Sequence, residues 1–230
     1  MTPPRSLASW GSVVRLHERG RRAEARAAAA KIMRLVRGDL ERLADGLAAR
    51  GYRFDNPRGP LGPLGKGVAD RLRRLEAISG PLPLSLWSAL AHLGACDFSG
   101  DHPDWPHSAN VGIRPARSDE DAWLTDPFVL LDVKYLLEQA LDHQPHDAPF
   151  DLVFSGDALT KAGYSGGTYA IAVPNDAPDA RIIGEPRRRS FIAHLALALR
   201  HGGLAGWAGI RGRPRGFLRG LERGAYIRRP

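Results

Sequence analysis

The sequence predicts an α+β fold: a mostly antiparallel sheet with packed helices, preceded by an N-terminal helical extension. Three observations predict it. Apolar residues recur at three- and four-residue spacing between residues 6 and 49, the pattern changes to short apolar runs beyond Gly94, and a helical stripe returns at residues 190–200. With 230 residues, 43% apolar and 7% aromatic, the chain has enough apolar side chain to bury a core.

Taken in order, residues 6–49 read as helix in two pieces broken near Gly20. In the second piece Ile32, Leu35, Val36, Leu40, Leu43, Ala44 and Leu47 form one stripe, Arg34, Arg37, Glu41, Arg42 and Asp45 face away, and Gly51 ends it. Residues 55–67, DNPRGPLGPLGKG, carry three prolines and four glycines and read as a loop. A short helix from Val68 to Ile78 follows. SGPLPLS leads into the next, with Ser85 as N-cap and Leu86, Leu90 and Leu93 facing inward.

Past Gly94, ACDFSG, ANVGI and DPFVLL read as strands bounded by Gly, Pro and Asp. Asp132 is placed to cap DVKYLLEQAL; DLVF is then a strand and DALTKAG a helical turn. TYAIAVP alternates Tyr169, Ile171 and Val173 with small alanines, a strand pattern, and RIIGE is expected to pair with it. SFIAHLALALR closes the fold, with Ile192, Leu195, Ala196 and Leu199 as its stripe and Gly202 and Gly203 after it. The tail beyond Trp207 holds seven arginines and has no strong period, so it is not expected in the core. This gives a basic Arg/Ala-rich helical extension at 1–39, an α+β domain at 40–207 and a basic tail at 208–230.

The net charge of +8 hides a pattern. Residues 1–74 carry 17 Lys and Arg against 7 Asp and Glu, residues 75–180 carry 4 against 16, and residues 181–230 carry 12 against 2. Either the basic flanks fold back on the acidic middle, or they reach an anionic partner while the acidic face meets a basic one. The single cysteine, Cys96, excludes an internal disulfide and every C-x-x-C zinc or redox framework. The N-terminus has no apolar run long enough for a signal peptide and no stretch approaches the ~20 apolar residues of a membrane span, so a cytoplasmic protein is expected.

GYSGG, residues 163–167, spells the G-x-S-x-G of a hydrolase nucleophile elbow. An elbow needs a strand before the serine and a helix after it, whereas here a helical turn precedes Ser165 and a strand follows. The order Ser165, then Asp176 or Asp179, then His194 satisfies a triad on paper only. Gly163, Ser165, Gly166 and Gly167 therefore read as a structural turn, with Ser165 capping or bonding the backbone. The loop DFSGDHPDWPHS, 97–108, gathers Asp97, Asp101, His102, Asp104 and His107, with His143 and His146 further on; these are zinc or manganese ligand types, and a metal-dependent hydrolase is the alternative they raise. Two prolines interrupt the run and no helix fixes the histidine spacing, so the loop reads as aspartate turns around Trp105. In the basic tail Trp207, Phe217 and Tyr226 offer stacking surfaces for nucleic acid, without any zinc-finger, helix-turn-helix or RNP signature.

GACDFSGDHPDWP, KAGYSGGTYAIAVP and SFIAHLALALRHGGLAGW together resemble bacterial members of the SUKH superfamily, the Smi/Knr-type domain. Gly80, Leu82, Pro83 and Leu86 match its G-x-L-P-x-x-L helix; Phe191, Leu195, Leu199, Gly202, Gly203 and Gly206 match its closing helix and glycines. The resemblance covers residues 40–207 and leaves out the long helix at 1–39 and the tail. It implies an α+β domain with no catalytic centre, which binds proteins; many such members are thought to be immunity proteins that neutralise toxins, and neither a cofactor nor a metal is expected. On that expectation Asp101, His102, Asp104, Trp105, Asp119, Glu120 and Asp121 contact a protein partner, a toxin with a basic surface, and nucleic acid is left to the basic flanks.

Overall fold

A computed structural model of the protein describes residues 9–102, 125–143, 149–208 and Leu221. The architecture is α+β. Helices α1 (Trp10–Glu18) and α2 (Arg22–Ala48) precede β1 (Arg53–Phe54), α3 (Val68–Ser79) and α4 (Leu84–His92). Then come β2 (Cys96–Asp97), β3 (Gly100–Asp101), β4 (Val129–Leu130), α5 (Val133–His143), β5 (Phe150–Gly156), α6 (Ala158–Lys161), β6 (Thr168–Val173), α7 (Phe191–Arg200) and a 3-10 turn, Ala205–Ala208. The ANVGI run lies outside the described residues.

All the described strand pairings are antiparallel, in three two-stranded pairs: β1 with β3, β2 with β4, β5 with β6. The expected pairing of RIIGE with β6 is present as a bridge between Ala170 and Ile183. Strand β5 is irregular between Val153 and Ser155. There the Gln139 amide on α5 donates to the Val153 carbonyl at 2.8 Å and accepts from its N–H at 3.0 Å. On this edge of β5 a side chain takes the place of a neighbouring strand, and the β5–β6 pairing resumes at Ser155 and Tyr169 beyond the irregularity.

The two helical pieces and their break at Gly20 are as read, and α2 buries Ile32, Met33, Val36, Leu40, Leu43 and Leu47. The boundary expected between residues 39 and 40 falls inside this continuous helix, whose N-terminal half packs in the same core as Trp10, Val13 and α4. The tail also needs correcting: Leu221 is 4% exposed and belongs to that core. Gly46 makes room for it, since a Cβ there would collide with the Leu221 side chain. A periodic pattern is not needed for one leucine to dock where a helix offers a glycine notch.

Ser85 is not an N-cap. Helix α4 starts at Leu84, and the N–H groups of Leu84 and Ser85 are taken by the carbonyls of Ala177 and Pro178 at 3.0 and 3.1 Å. A loop remote in sequence supplies acceptors that a local hydroxyl would otherwise provide. Asp132 does cap, accepting from the Lys134 N–H at 2.8 Å. On α7 the buried face is Phe191, Ile192, His194, Leu195, Ala198 and Leu199; Ala196 stands at its edge, and a histidine takes a place in the stripe.

Candidate functional site

Four elements aim polar side chains at one point beneath α7. The segment Thr125–Phe128 runs beside the chain that leaves α7: Phe128 N–H bonds Gly203 O at 2.7 Å, Ala205 N–H bonds Asp126 O at 3.0 Å, and Gly206 N–H bonds Thr125 O at 2.8 Å. These bonds hold Asp126 at φ 46, a left-handed conformation that aspartate tolerates better than most residues. Its carboxylate accepts from Lys161 Nζ of α6 at 2.7 Å and from the Tyr169 hydroxyl of β6 at 3.1 Å, and His194 Nδ1 of α7 lies 4.0 Å away. The ammonium also sits 4.5 Å from the centre of the Tyr169 ring. Side-chain exposures of 8% for Asp126, 4% for Lys161 and 2% for His194 make this an internal ion pair rather than a surface one. Alongside it the buried Glu185 pairs with Arg189 at 2.6 Å.

Burial alone would push the Asp126 carboxyl up, but the Lys161 ammonium, the His194 ring and the hydrogen bonds from Lys161 and Tyr169 outweigh it and hold the group below the usual carboxylate range. Burial and the adjacent carboxylate push Tyr169 up, so it stays a hydrogen-bond donor. Burial dominates at His194 and brings it down from 6.5 to about 4, against the pull of Asp126 and Glu185 and with the help of Lys161 and Arg189.

The unfolded chain therefore binds more protons than the folded one between pH 6.5 and about 4. Stability is full above 6.5 and falls on acidification by about 3 kcal/mol from this residue. Below the ordinary aspartate value of 3.8, protonation of Asp126 removes a further contribution. Urea denaturation of wild type and His194→Leu at pH 7 and pH 4.5 is expected to show most of the acid loss in wild type only; equal loss in both would disprove the assignment.

Carboxylate, ammonium, phenol and imidazole are the groups of acid–base catalysis, but here they face one another inside the core and act as a lock joining α6, β6, α7 and the 125–128 segment. Cys96 is likewise buried, and burial pushes its thiol up to about 12, far from a reactive thiolate. Among the described residues no group of three His, Cys, Asp or Glu side chains is placed to hold a metal ion.

The residues picked out from the sequence lie elsewhere. Asp101 is exposed on β3, opposite Arg53 of β1, and its carboxylate accepts from the His102 N–H at 2.8 Å. His102 is buried, its Nε2 2.6 Å from the Arg50 carbonyl at the end of α2, so its ring tethers the helix instead of facing a partner. Asp104, Trp105, Asp119, Glu120 and Asp121 lie outside the described residues.

At GYSGG the turn is present but Ser165 is exposed and makes no hydrogen bond among the described residues. The expected capping role belongs to Asp157, whose carboxylate accepts from Thr160 N–H at 2.8 Å and Gly167 N–H at 2.6 Å. These two bonds offset partial burial and hold the Asp157 carboxyl below its usual range. Of the three glycines in this turn Gly166 is the tightest, since a Cβ there would lie 2.7 Å from Leu159 Cβ and against the Asp157 carboxylate. Ser165→Ala should leave stability within about 0.5 kcal/mol, whereas Asp157→Ala should cost about 1–2 kcal/mol; thermal melts of the two distinguish them.

The N-terminal flank folds back on the acidic middle. Arg22 is hydrogen-bonded to Asp176, His17 Nε2 is 3.8 Å from the same carboxylate, Arg26 is 3.7 Å from Glu76, and the Arg26 guanidinium stacks 4.8 Å from the Trp87 ring. Of the two readings of the charge pattern, this half of the chain follows the first.

No family model, curated protein or solved structure matches the chain. No helix among the described residues is long and apolar enough to cross a membrane.

The sequence reading missed the lock, apart from His194 as a paper triad member. A signal was there: Lys161 is one of only four cations among the 20 charged residues of 75–180, and His194 interrupts an otherwise apolar stripe. Neither shows its partner without the tertiary fold.

Proposed function

We propose that the chain is a non-enzymatic protein-binding module of the SUKH type, and within that class an immunity protein that neutralises a cognate toxin with a basic surface. One observation supports the reading above others. The Asp126, Lys161, Tyr169 and His194 side chains are locked inside, while carboxylates of the acidic segment, Asp101, Glu138, Asp142 and Asp151, stand on the surface, as does the 55% exposed Tyr135 on the same helix as Glu138 and Asp142. Exposed acid and an accessible aromatic suit a partner that carries positive charge, such as a nuclease shaped to phosphate backbones. The resemblance of the motifs at 80–86 and 191–206 is what suggests the family.

The test is capture with the intact chain as bait in the source cell, followed by co-expression with the captured protein. A basic toxin whose killing is blocked is the expected result, with association slowed about tenfold or more at low salt when Asp101, Asp119, Glu120 and Asp121 are reversed to lysine. A toxin that still kills, charge reversal without effect on binding, or zinc or manganese at one per purified chain overturns the proposal.

A further inference from the structure

A cleft of about 370 Å³ opens where the α1–α2 corner meets α4 and the loop after β6, lined by His17, Arg22, Ala23, Arg26, Leu82, Leu84, Trp87 and Asp176. Its volume falls within the range of small-molecule sites. Leu82 and Leu84 are buried and form an apolar floor with Trp87. Above it the polar groups divide unevenly. Asp176 is already engaged by Arg22, and Glu76 beyond the rim accepts from the Leu82 N–H at 3.4 Å. Arg26 makes no hydrogen bond among the described residues: Glu76 is 3.7 Å from it, outside bonding distance, and its guanidinium stacks on Trp87 with one face. The His17 ring stops 3.8 Å from Asp176. The Arg26 guanidinium thus keeps hydrogen-bond donors that no described acceptor in the cleft meets.

We infer that this cleft binds a small monocarboxylate with a compact apolar body. The apolar part lies on Leu82, Leu84 and Trp87, and the carboxylate takes the planar fork of Arg26, which the aromatic ring beneath holds in place. Arg26 has only a long ion pair, to Glu76 at 3.7 Å, and no hydrogen bond among the described residues, so its fork can take one carboxylate, and charge on the ligand beyond one meets Asp176 and Glu76. This site is separate from the surface assigned to a protein partner, and its test is independent of that assignment.

The probes are 2-naphthoate and its neutral amide, titrated into the full-length protein by calorimetry. The acid is expected to bind at millimolar concentration or below and the amide about tenfold more weakly or worse, because a charge-assisted bidentate contact is lost. Arg26→Gln should weaken the acid about tenfold and leave the amide unchanged. Ala23→Trp should abolish binding of both by filling the cleft. Ala23 and Arg26 are exposed, so both variants should keep the wild-type melting curve, which is recorded alongside. No binding of the acid at millimolar concentration, equal affinity for acid and amide, or binding that survives Ala23→Trp in a folded protein overturns the inference.

Discussion

Asp126→Asn is expected to destabilise the fold by about 3 kcal/mol at pH 7, read as a lower urea midpoint. Asparagine has nearly the same shape and tolerates the left-handed backbone at φ 46, so the change removes charge with little else. What remains is the Lys161 ammonium, its side chain 4% exposed, facing a neutral amide where it had a carboxylate at 2.7 Å. A buried pair formed from two desolvated ions adds modestly to stability, but a buried ion stripped of its partner costs heavily. The double variant Asp126→Asn with Lys161→Met should therefore recover most of the loss, giving a coupling of about 2 kcal/mol in the double-mutant cycle. A single-variant cost below about 1 kcal/mol would mean that water reaches the lysine and the lock is not internal.

Gly203→Ala is expected to cost as much, about 3–4 kcal/mol, for a different reason. Gly203 leaves α7 at φ 90, where a side chain is strained, and its added Cβ would lie 2.5 Å from Cδ1 and 3.0 Å from Cγ of Phe98. Phe98 is fully buried against Phe54, their ring centres 5.9 Å apart, and has nowhere to move. The backbone there is also committed, since Gly203 O accepts from Phe128 N–H at 2.7 Å and a shift would disturb the segment that carries Asp126. Gly163 provides the comparison: it sits at φ 80, but a Cβ would meet nothing within 4 Å. Gly163→Ala should cost about 1 kcal/mol from backbone strain alone, and the difference between the two is the steric part. Equal costs would refute the collision.

How much was legible follows from the range of the forces involved. Most of the stripes of α2 and α7, the break at Gly20, the Asp132 cap and the β6 alternation are set by residues within a few positions of one another and lie where the sequence puts them, with Leu35, Ala44 and Ala196 only partly buried and His194 added to the α7 stripe. The failures share a cause. Ser85 lost its capping role to carbonyls some 90 positions away, Ser165 lost its role to Asp157, and the tail contributed Leu221 to a core it was expected to miss. Each outcome turned on a contact between segments that no local pattern describes.

The candidate site shows the same division. Sequence determined by itself that the chain folds as α+β, that it has no disulfide, and that its charge is basic, acidic, basic along its length. Only the tertiary structure decided which charges are surface and which are core. Lys161 and His194 are unusual where they stand in the sequence, but neither names Asp126 as its partner, and the three meet only because α6, β6, α7 and the strand-like 125–128 segment converge. Burying an ion demands a partner close by, and the groups around Asp126 come from positions 35 and 68 residues away along the sequence, which packing alone brings together.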